Sequence, residues 1–465
     1  MASAAEPSTT WQKYETYSLP TDPKQGDRAT VLRLRNGRRP HMQTFWVSTL
    51  AWFAAFTAWF SFAPLMPEVK KDLGLSTSDV YNANISAVSA TLVARLVVGP
   101  LADALGARTT FSLLLAAGSV PVFCSGLVDS AGSLALVRFF IGVLGACFVC
   151  NQILASQMFS REVIGTASAV SGGWGNLGGG VCQIAMVLIW SGLKQGLPHE
   201  TAWRVSFIFP AAFVLIMSVV VLTRCDDSPK GQYKELIAHG AMVRKSSAKA
   251  ASQGYRDYNS WILTIHYAAC LGVELTTLNT CATYFDDKFG LGTTKAGLIA
   301  TVFGLMQIFT RASGGLLSDS AFKHFGGGST GMRGRIIVQM CTLTAEGVCL
   351  VIFSRMNSLG SAIALLTSFA VGVQMSEGST FGIVPSVCPE ATGAVSGIVG
   401  AGGNLGAIAF GLLFRFGPSA PETCFLLLGF IVLGCAALTP LLRLKGHDGM
   451  FTRAKVEEPG AIDII

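Results

Sequence analysis

Twelve windows of about twenty residues, each nearly free of charge, follow one another from residue 43 to residue 442. No soluble fold can cover that much unbroken apolar chain, whereas a helix of about 20 apolar residues crosses the roughly 30 Å hydrocarbon core of a bilayer. The windows are 43–65, 80–102, 109–128, 132–155, 163–190, 202–223, 259–283, 295–317, 333–354, 358–383, 391–414 and 421–442. Composition agrees: 51% of the 465 residues are hydrophobic and 13% charged, against about a quarter charged in ordinary soluble domains. The expected fold class is an all-α membrane protein with 12 transmembrane helices and the lipid bilayer as its solvent.

The polar remainder is an amino-terminal tail (1–42), a basic linker (224–258) and a carboxy-terminal tail (443–465), with seven, seven and four Lys/Arg. By the positive-inside rule all three face the cytoplasm, and an even number of spans lets both termini share that side. The net charge of +7 therefore reports topology, and no nucleic-acid partner is expected, since that needs a basic patch on a folded soluble surface. Nearly all twelve cysteines lie in the windows, as small apolar side chains. The single CxxC, Cys147-Phe148-Val149-Cys150, has no second ligand pair, so neither metal nor cofactor is expected. No polar loop gathers a nucleophile, a base and an orienting group, which argues against an enzyme.

The chain repeats itself. "RLVVGPLAD" spaces Arg95, Gly99 and Asp103 as "RASGGLLSD" spaces Arg311, Gly315 and Asp319, and "EVIGTASAVSGGWGNLGGG" aligns with "EATGAVSGIVGAGGNLGAI", pairing Asn176 with Asn404. The natural reading is two six-helix bundles, 43–223 and 259–442, related by a pseudo-two-fold axis along the membrane normal. Gly172, Gly175 and Gly179, with Gly400 and Gly403 in the second copy, form helical stripes that suit close packing in lipid, and a phosphate-binding loop would need a Lys-Ser/Thr ending that is missing. The amides of Asn176 and Asn404 need partners in an apolar span, either other helices or a substrate.

Arg95 and Arg311 each precede by eight residues an aspartate that marks the cytoplasmic end of its helix. Eight residues rise about 12 Å, close to the bilayer midplane. A guanidinium there faces a cavity or a partner. The alternative to a ligand is an internal salt bridge to Glu274, Glu346 or Glu377. Matched positions on a two-fold axis favour an anion gripped from both sides. A planar fork suits a flat oxyanion such as nitrate or nitrite, with carboxylate and phosphate left open.

"GPLADALGAR", carrying Gly99, Asp103 and Arg108, resembles the major facilitator signature at the cytoplasmic gate, which Gly315 and Asp319 repeat. "GGWGNLGGG" and "GAGGNLGA" resemble the two nitrate-signature segments of the nitrate/nitrite porter family. "RPHMQTFW", "HYAACLGVEL" and "EGSTFGIVPSV" resemble its eukaryotic branch, the high-affinity nitrate transporters. The resemblance implies the major facilitator fold and proton-coupled import of nitrate, and of nitrite, by alternating access across the plasma membrane of a eukaryotic cell. It carries substrate contact onto Arg95, Arg311, Tyr267, Asn176 and Asn404, and brings a single-span accessory protein into view as a partner. Leu271 stands one turn after Tyr267, where some bacterial relatives have an aromatic; Phe56 and Phe60 are replacements whose simpler role is packing.

Moving one nitrate into a negative interior with net positive charge needs at least two protons, at about 2.3 kcal/mol per charge per 100 mV. Glu274 is the first candidate to carry one and His266 the second; Glu346, Glu377 and Arg138 read as structural. A nitrate/nitrite exchanger, an organic-anion or phosphate porter, and a nitrate sensor signalling through its tails are the competing readings. Ser246, Ser247 and Ser252 belong to what reads as a solvated linker.

Overall fold

A computed structural model of the chain describes residues 13–239, 247–291, 299, 301–418 and 420–453. Eleven helices among them are long and apolar enough to cross a membrane. In the first half these are span 1 (His41–Leu65), span 2 (Asn82–Leu105), span 3 (Ala107–Leu127), span 4 (Ala131–Met158), span 5 (Ile164–Leu193) and span 6 (His199–Arg224). The second half holds span 7 (Tyr258–Leu278), span 9 (Gly328–Phe353), span 10 (Leu359–Ser386), span 11 (Pro389–Phe416) and span 12 (Pro421–Leu441). The eighth window lies partly outside the described residues; its described part is helical at 301–305, passes through a 3₁₀ turn at Met306–Ile308 and continues in the helix Thr310–His324, together span 8.

The outside of the bundle is apolar: Val97, Leu188, Ile216, Leu316 and Phe430 are exposed, as a lipid-facing surface requires. Its inside carries the polar groups, with Arg95, Asn176, Glu274, Arg311, Glu377 and Asn404 all buried. Between the halves, span 2 runs along span 11 and span 8 along span 5.

Span 4 is interrupted. Its halves, Ala131–Gly142 and Cys147–Met158, are joined by a 3₁₀ segment at Val143–Ala146. Gly142 and Gly145 allow the interruption to lie against span 2, since a Cβ on Gly142 would sit 2.1 Å from the Ala87 carbonyl oxygen. Tighter winding disturbs the i to i−4 ladder and turns carbonyls outward. Gly142 O accepts from Thr91 Oγ1 at 2.6 Å and Gly145 O from Arg95 Nε at 3.1 Å.

The tails and the linker gather at one end, the basic end. The amino-terminal segment forms an antiparallel ribbon, Thr21–Asp22 with Arg28–Ala29, and packs Leu19 and Ala29 against Met42, Phe45, Phe159 and Ile164. Tyr14 Oη donates to Asp226 Oδ2 at 2.8 Å, and burial beside that carboxylate pushes the Tyr14 phenol well above its ordinary range. The linker is more than a solvated connection. Its helix Ser247–Arg256 sets Gly254 against Ala394 of span 11, and Tyr255 Oη donates to Leu96 O of span 2 at 2.7 Å. Ser247 and Ser252 belong to this helix; Ser246 lies outside the described residues.

Candidate anion site between the two halves

Arg95 reaches from span 2 into the seam between spans 4 and 11. Its Nε donates to Gly145 O at 3.1 Å and its Nη1 to Gly400 O at 2.5 Å. Both partners are neutral carbonyls, and among the described residues no carboxylate forms an ion pair with Arg95. The remaining contact is a ring: Arg95 Cζ lies 5.3 Å from the Phe148 centroid.

Arg311 reaches the same ring from the other half, with its Cζ 5.5 Å from the Phe148 centroid. Such cation–π contacts contribute about 0.5–2 kcal/mol, the larger values in dry surroundings. Here a carboxylate does intervene: Arg311 Nη1 donates to Glu377 Oε2 in a fully buried ion pair, and Nη2 donates to Tyr267 Oη at 3.0 Å. Of the two readings weighed for these arginines, a ligand or an internal salt bridge, Arg311 makes the salt bridge in this structure, to Glu377. Arg311 is paired in this state because its own half supplies the carboxylates, which the first half lacks among its buried residues.

The glycine stripes make room for these groups. An added Cβ on Gly172 would meet Arg311 Nε at 3.1 Å, and one on Gly400 would meet Arg95 Cδ at 3.4 Å, so each half's glycine faces the other half's arginine. Gly175 and Gly179 yield instead to rings of span 1, where a Cβ would fall 1.8 Å from Trp52 Cδ1 and 2.8 Å from Phe56 Cε1, and Gly403 yields to Leu271 at 2.4 Å. The two asparagines differ. Asn176 Oδ1 accepts from Trp52 Nε1 at 3.0 Å, whereas neither amide atom of Asn404, fully buried, finds a partner among the described residues.

A cavity of about 10 Å³ lies between the halves, lined by Trp52, Phe56, Trp59, Arg95, Phe148 and Asn176 from one and by Tyr267, Leu271, Leu275 and Asn404 from the other. That is about the least volume that takes a single water.

The signature residues close the basic end in matched fashion. Asp103 accepts from the backbone N–H groups of Gly393 and Ala394, at 3.2 and 3.1 Å, in the first turn of span 11. Asp319 does the same for Gly165 and Thr166 of span 5, at 3.0 and 2.5 Å. A carboxylate there satisfies orphan donors and meets the positive end of the helix dipole, a cap contributing about 0.5–2 kcal/mol. Gly99 and Gly315 let the helices touch: a Cβ on either would lie 2.2 Å from a carbonyl oxygen, of Gly393 or of Gly165. Asp319 is also ion-paired with Arg335 at 2.6 Å, and Arg335 Nη2 donates to Arg161 O across the divide at 2.6 Å. Arg108 does not reach the second half: its backbone N–H donates to Asp227 Oδ1 of the linker at 2.9 Å and its Nη1 to Leu222 O of span 6.

Glu274 joins the cluster through Gln307, whose Nε2 donates to it. His266 does not; it sits by Thr439 at the end of span 12, with Nε2 at 3.3 Å from Oγ1. Phe148 carries no signal of its own in the sequence, being one apolar residue among many. It supplies the aromatic neighbour in doubt at Leu271, stacking on Tyr267 at 6.3 Å and 14°. Phe56 lines the cavity, and Phe60 packs on Phe56 at 4.8 Å.

Comparison with protein families matches residues 49–411 to the Major Facilitator Superfamily. The chain is 35% identical over 446 residues to High affinity nitrate transporter 2.5 of Arabidopsis thaliana, covering 96% of this chain and 88% of that one. It is 40% identical over 373 residues to Nitrate transporter 2.2 of Chlamydomonas reinhardtii, 79% of this chain and 72% of the other. Among solved structures, that of the E. coli fucose:proton symporter FucP superposes with a TM-score of 0.65 at 13% identity, covering 86% of this chain and 99% of that one, a likeness of fold. The relatives are named transporters, not enzymes. The doubled arrangement of arginine, glycine and aspartate thus sits in a chain that belongs to the Major Facilitator Superfamily, in its eukaryotic high-affinity nitrate transporter branch.

Proposed function

We propose that the protein imports nitrate by proton symport, holding the anion between Arg95 and Arg311 and moving it by alternating access of the two halves. One observation carries the reading: two guanidinium groups, one from each half, lie 5.3 and 5.5 Å from the centroid of a single ring, that of Phe148. A flat anion between two planar forks accepts paired hydrogen bonds from both. The named substrate of the relatives supplies its identity, and nitrite has the same planarity. Asn404, with both amide atoms unpartnered among the described residues, is the polar neighbour best suited to complete the shell; Asn176 serves through Trp52.

The basic end is read as cytoplasmic, which puts both termini inside and, in a cell facing external nitrate, the chain in the plasma membrane. The state described is then closed to the cytoplasm by Asp103 and Asp319, and rocking of the halves opens it. Glu274 is the better proton carrier of the two candidates, being tied to the arginine cluster through Gln307, whereas His266 lies by Thr439.

Proteoliposomes test this. Symport predicts inward current on adding nitrate outside, growing with external acidity and needing no internal nitrite. Uptake that requires internal nitrite and carries no charge makes the protein an exchanger. Arg95→Lys or Arg311→Lys keeps charge and loses the fork; normal uptake by both variants refutes the site.

A further inference from the structure

The buried ion pair on Arg311 has no role in a site built only of two arginines and an anion. Glu377 and Arg311 are 0% and 1% exposed, and two of their polar atoms, Glu377 Oε1 and Arg311 Nε, are buried without a hydrogen-bond partner among the described residues. The titratable groups facing Glu377 are Tyr267, Cys270 and Glu274 of span 7, Arg311 of span 8 and Glu346 of span 9. One guanidinium therefore faces three carboxyl groups. Glu274, buried and held by Gln307 Nε2, is one of the carboxyl groups that face Glu377. Glu346 has no hydrogen-bond partner at either oxygen among the described residues. One carboxylate balances Arg311; further ionised carboxyls in so dry a place would each cost several kcal/mol.

An anion that takes the fork of Arg311 competes with Glu377 for the same N–H groups. The geometry points to Glu377 as the residue at which nitrate is exchanged for a proton: the anion displaces its carboxylate from Arg311, and the displaced carboxylate takes up one proton from the side to which the cavity is open. On release of the anion Glu377 gives that proton to the other side and re-forms its pair with Arg311. At Glu377 charge balances at each stage, since one anion and one proton enter and leave together; the second proton that an inward current requires is carried elsewhere. Glu274, which faces Glu377, is the route by which the proton reaches it. The inference rests on the nitrate reading above, and it makes coupling obligatory: with nitrate on Arg311, an unprotonated Glu377 is an uncompensated buried charge.

Purified full-length protein in detergent, weakly buffered with a pH-sensitive dye, is titrated with potassium nitrate, while calorimetry measures binding on the same sample. About one proton taken up per nitrate bound is expected, and by linkage nitrate affinity then falls about tenfold per pH unit where Glu377 is unprotonated without the anion. Binding with no proton uptake and no pH dependence overturns the inference and leaves the nitrate site standing. Absence of binding removes the nitrate reading itself. In Glu377→Gln, which mimics the protonated side chain, nitrate still binds, proton uptake falls at least about fivefold and affinity loses its pH dependence. Undiminished uptake in that variant overturns the assignment; if it cannot be purified folded, the wild-type titration decides alone.

Discussion

The two halves share a framework and differ in charge. Each places an arginine by the Phe148 ring, a glycine against the other half's arginine, and an aspartate on the first turn of the other half's helix. Yet the first half buries Arg95 and Arg138 with no buried carboxylate in its spans among the described residues, Arg138 donating to Asn84 Oδ1 and Trp59 O. The second buries Arg311 among Glu274, Glu346 and Glu377. What the duplication kept is what both halves need in order to close on each other. On the proposed mechanism what diverged divides the labour: the first half offers an anion a guanidinium with no ion-pair partner among the described residues, and the second supplies the carboxyls that take protons.

The largest effect expected from breaking this asymmetry is at Arg95. Arg95→Lys should lower nitrate uptake at least about a hundredfold with normal surface abundance, because ammonium cannot span Gly145 O, Gly400 O and a bound anion together. Uptake within about threefold of wild type would make Arg95 structural. Next come the crossings at the basic end. Gly315→Ala and Gly99→Ala each press a Cβ to 2.2 Å from a carbonyl oxygen, so both should hold that end open. Cysteine labelling of positions lining the basic end, with a membrane-impermeant reagent on inside-out vesicles, should speed up several-fold; unchanged labelling contradicts the closed reading. Asp319→Asn should open that end more than Asp103→Asn, because Asp319 also anchors Arg335.

Smaller effects sharpen the comparison. Phe148→Leu removes the ring shared by both guanidiniums and should weaken nitrate binding about tenfold, equivalent to about 1.4 kcal/mol. The asparagines should separate. Asn176→Ala costs about 1 kcal/mol of stability by stranding Trp52 Nε1, seen as a lower melting temperature with little change in KM. Asn404→Ala should raise KM a few-fold and leave stability alone; the reverse pattern would exchange their roles.

The scaffold was legible because its cause is one-dimensional: apolar length decides what crosses a bilayer, and a fixed spacing from Arg95 to Asp103 and from Arg311 to Asp319 survives in the sequence whatever the packing. The arginines and the glycines could be named for the same reason, whereas Tyr267 was named only through the resemblance to the nitrate/nitrite porter family. The pairing of Arg311 with Glu377 could not, since three buried glutamates in the second half were equally eligible and only the approach of spans 8 and 10 selects one. Phe148 was hidden as one apolar residue among many, with no period of its own. The break in span 4 leaves no proline to announce it, only two glycines whose use depends on the approach of span 2. The ordered amino-terminal segment was missed because a polar tail reads as solvated until Leu19 and Ala29 are seen against Phe45 and Phe159.

The central claim is that two arginines from opposite halves grip one anion, and calorimetric nitrate binding to purified Arg95→Lys, Arg311→Lys and the double variant tests it most directly. The account predicts that each single substitution weakens binding more than about tenfold and that the double loses much less than the sum of the two, as groups acting on one ligand should. Wild-type affinity in either single variant, with the protein folded, would contradict it.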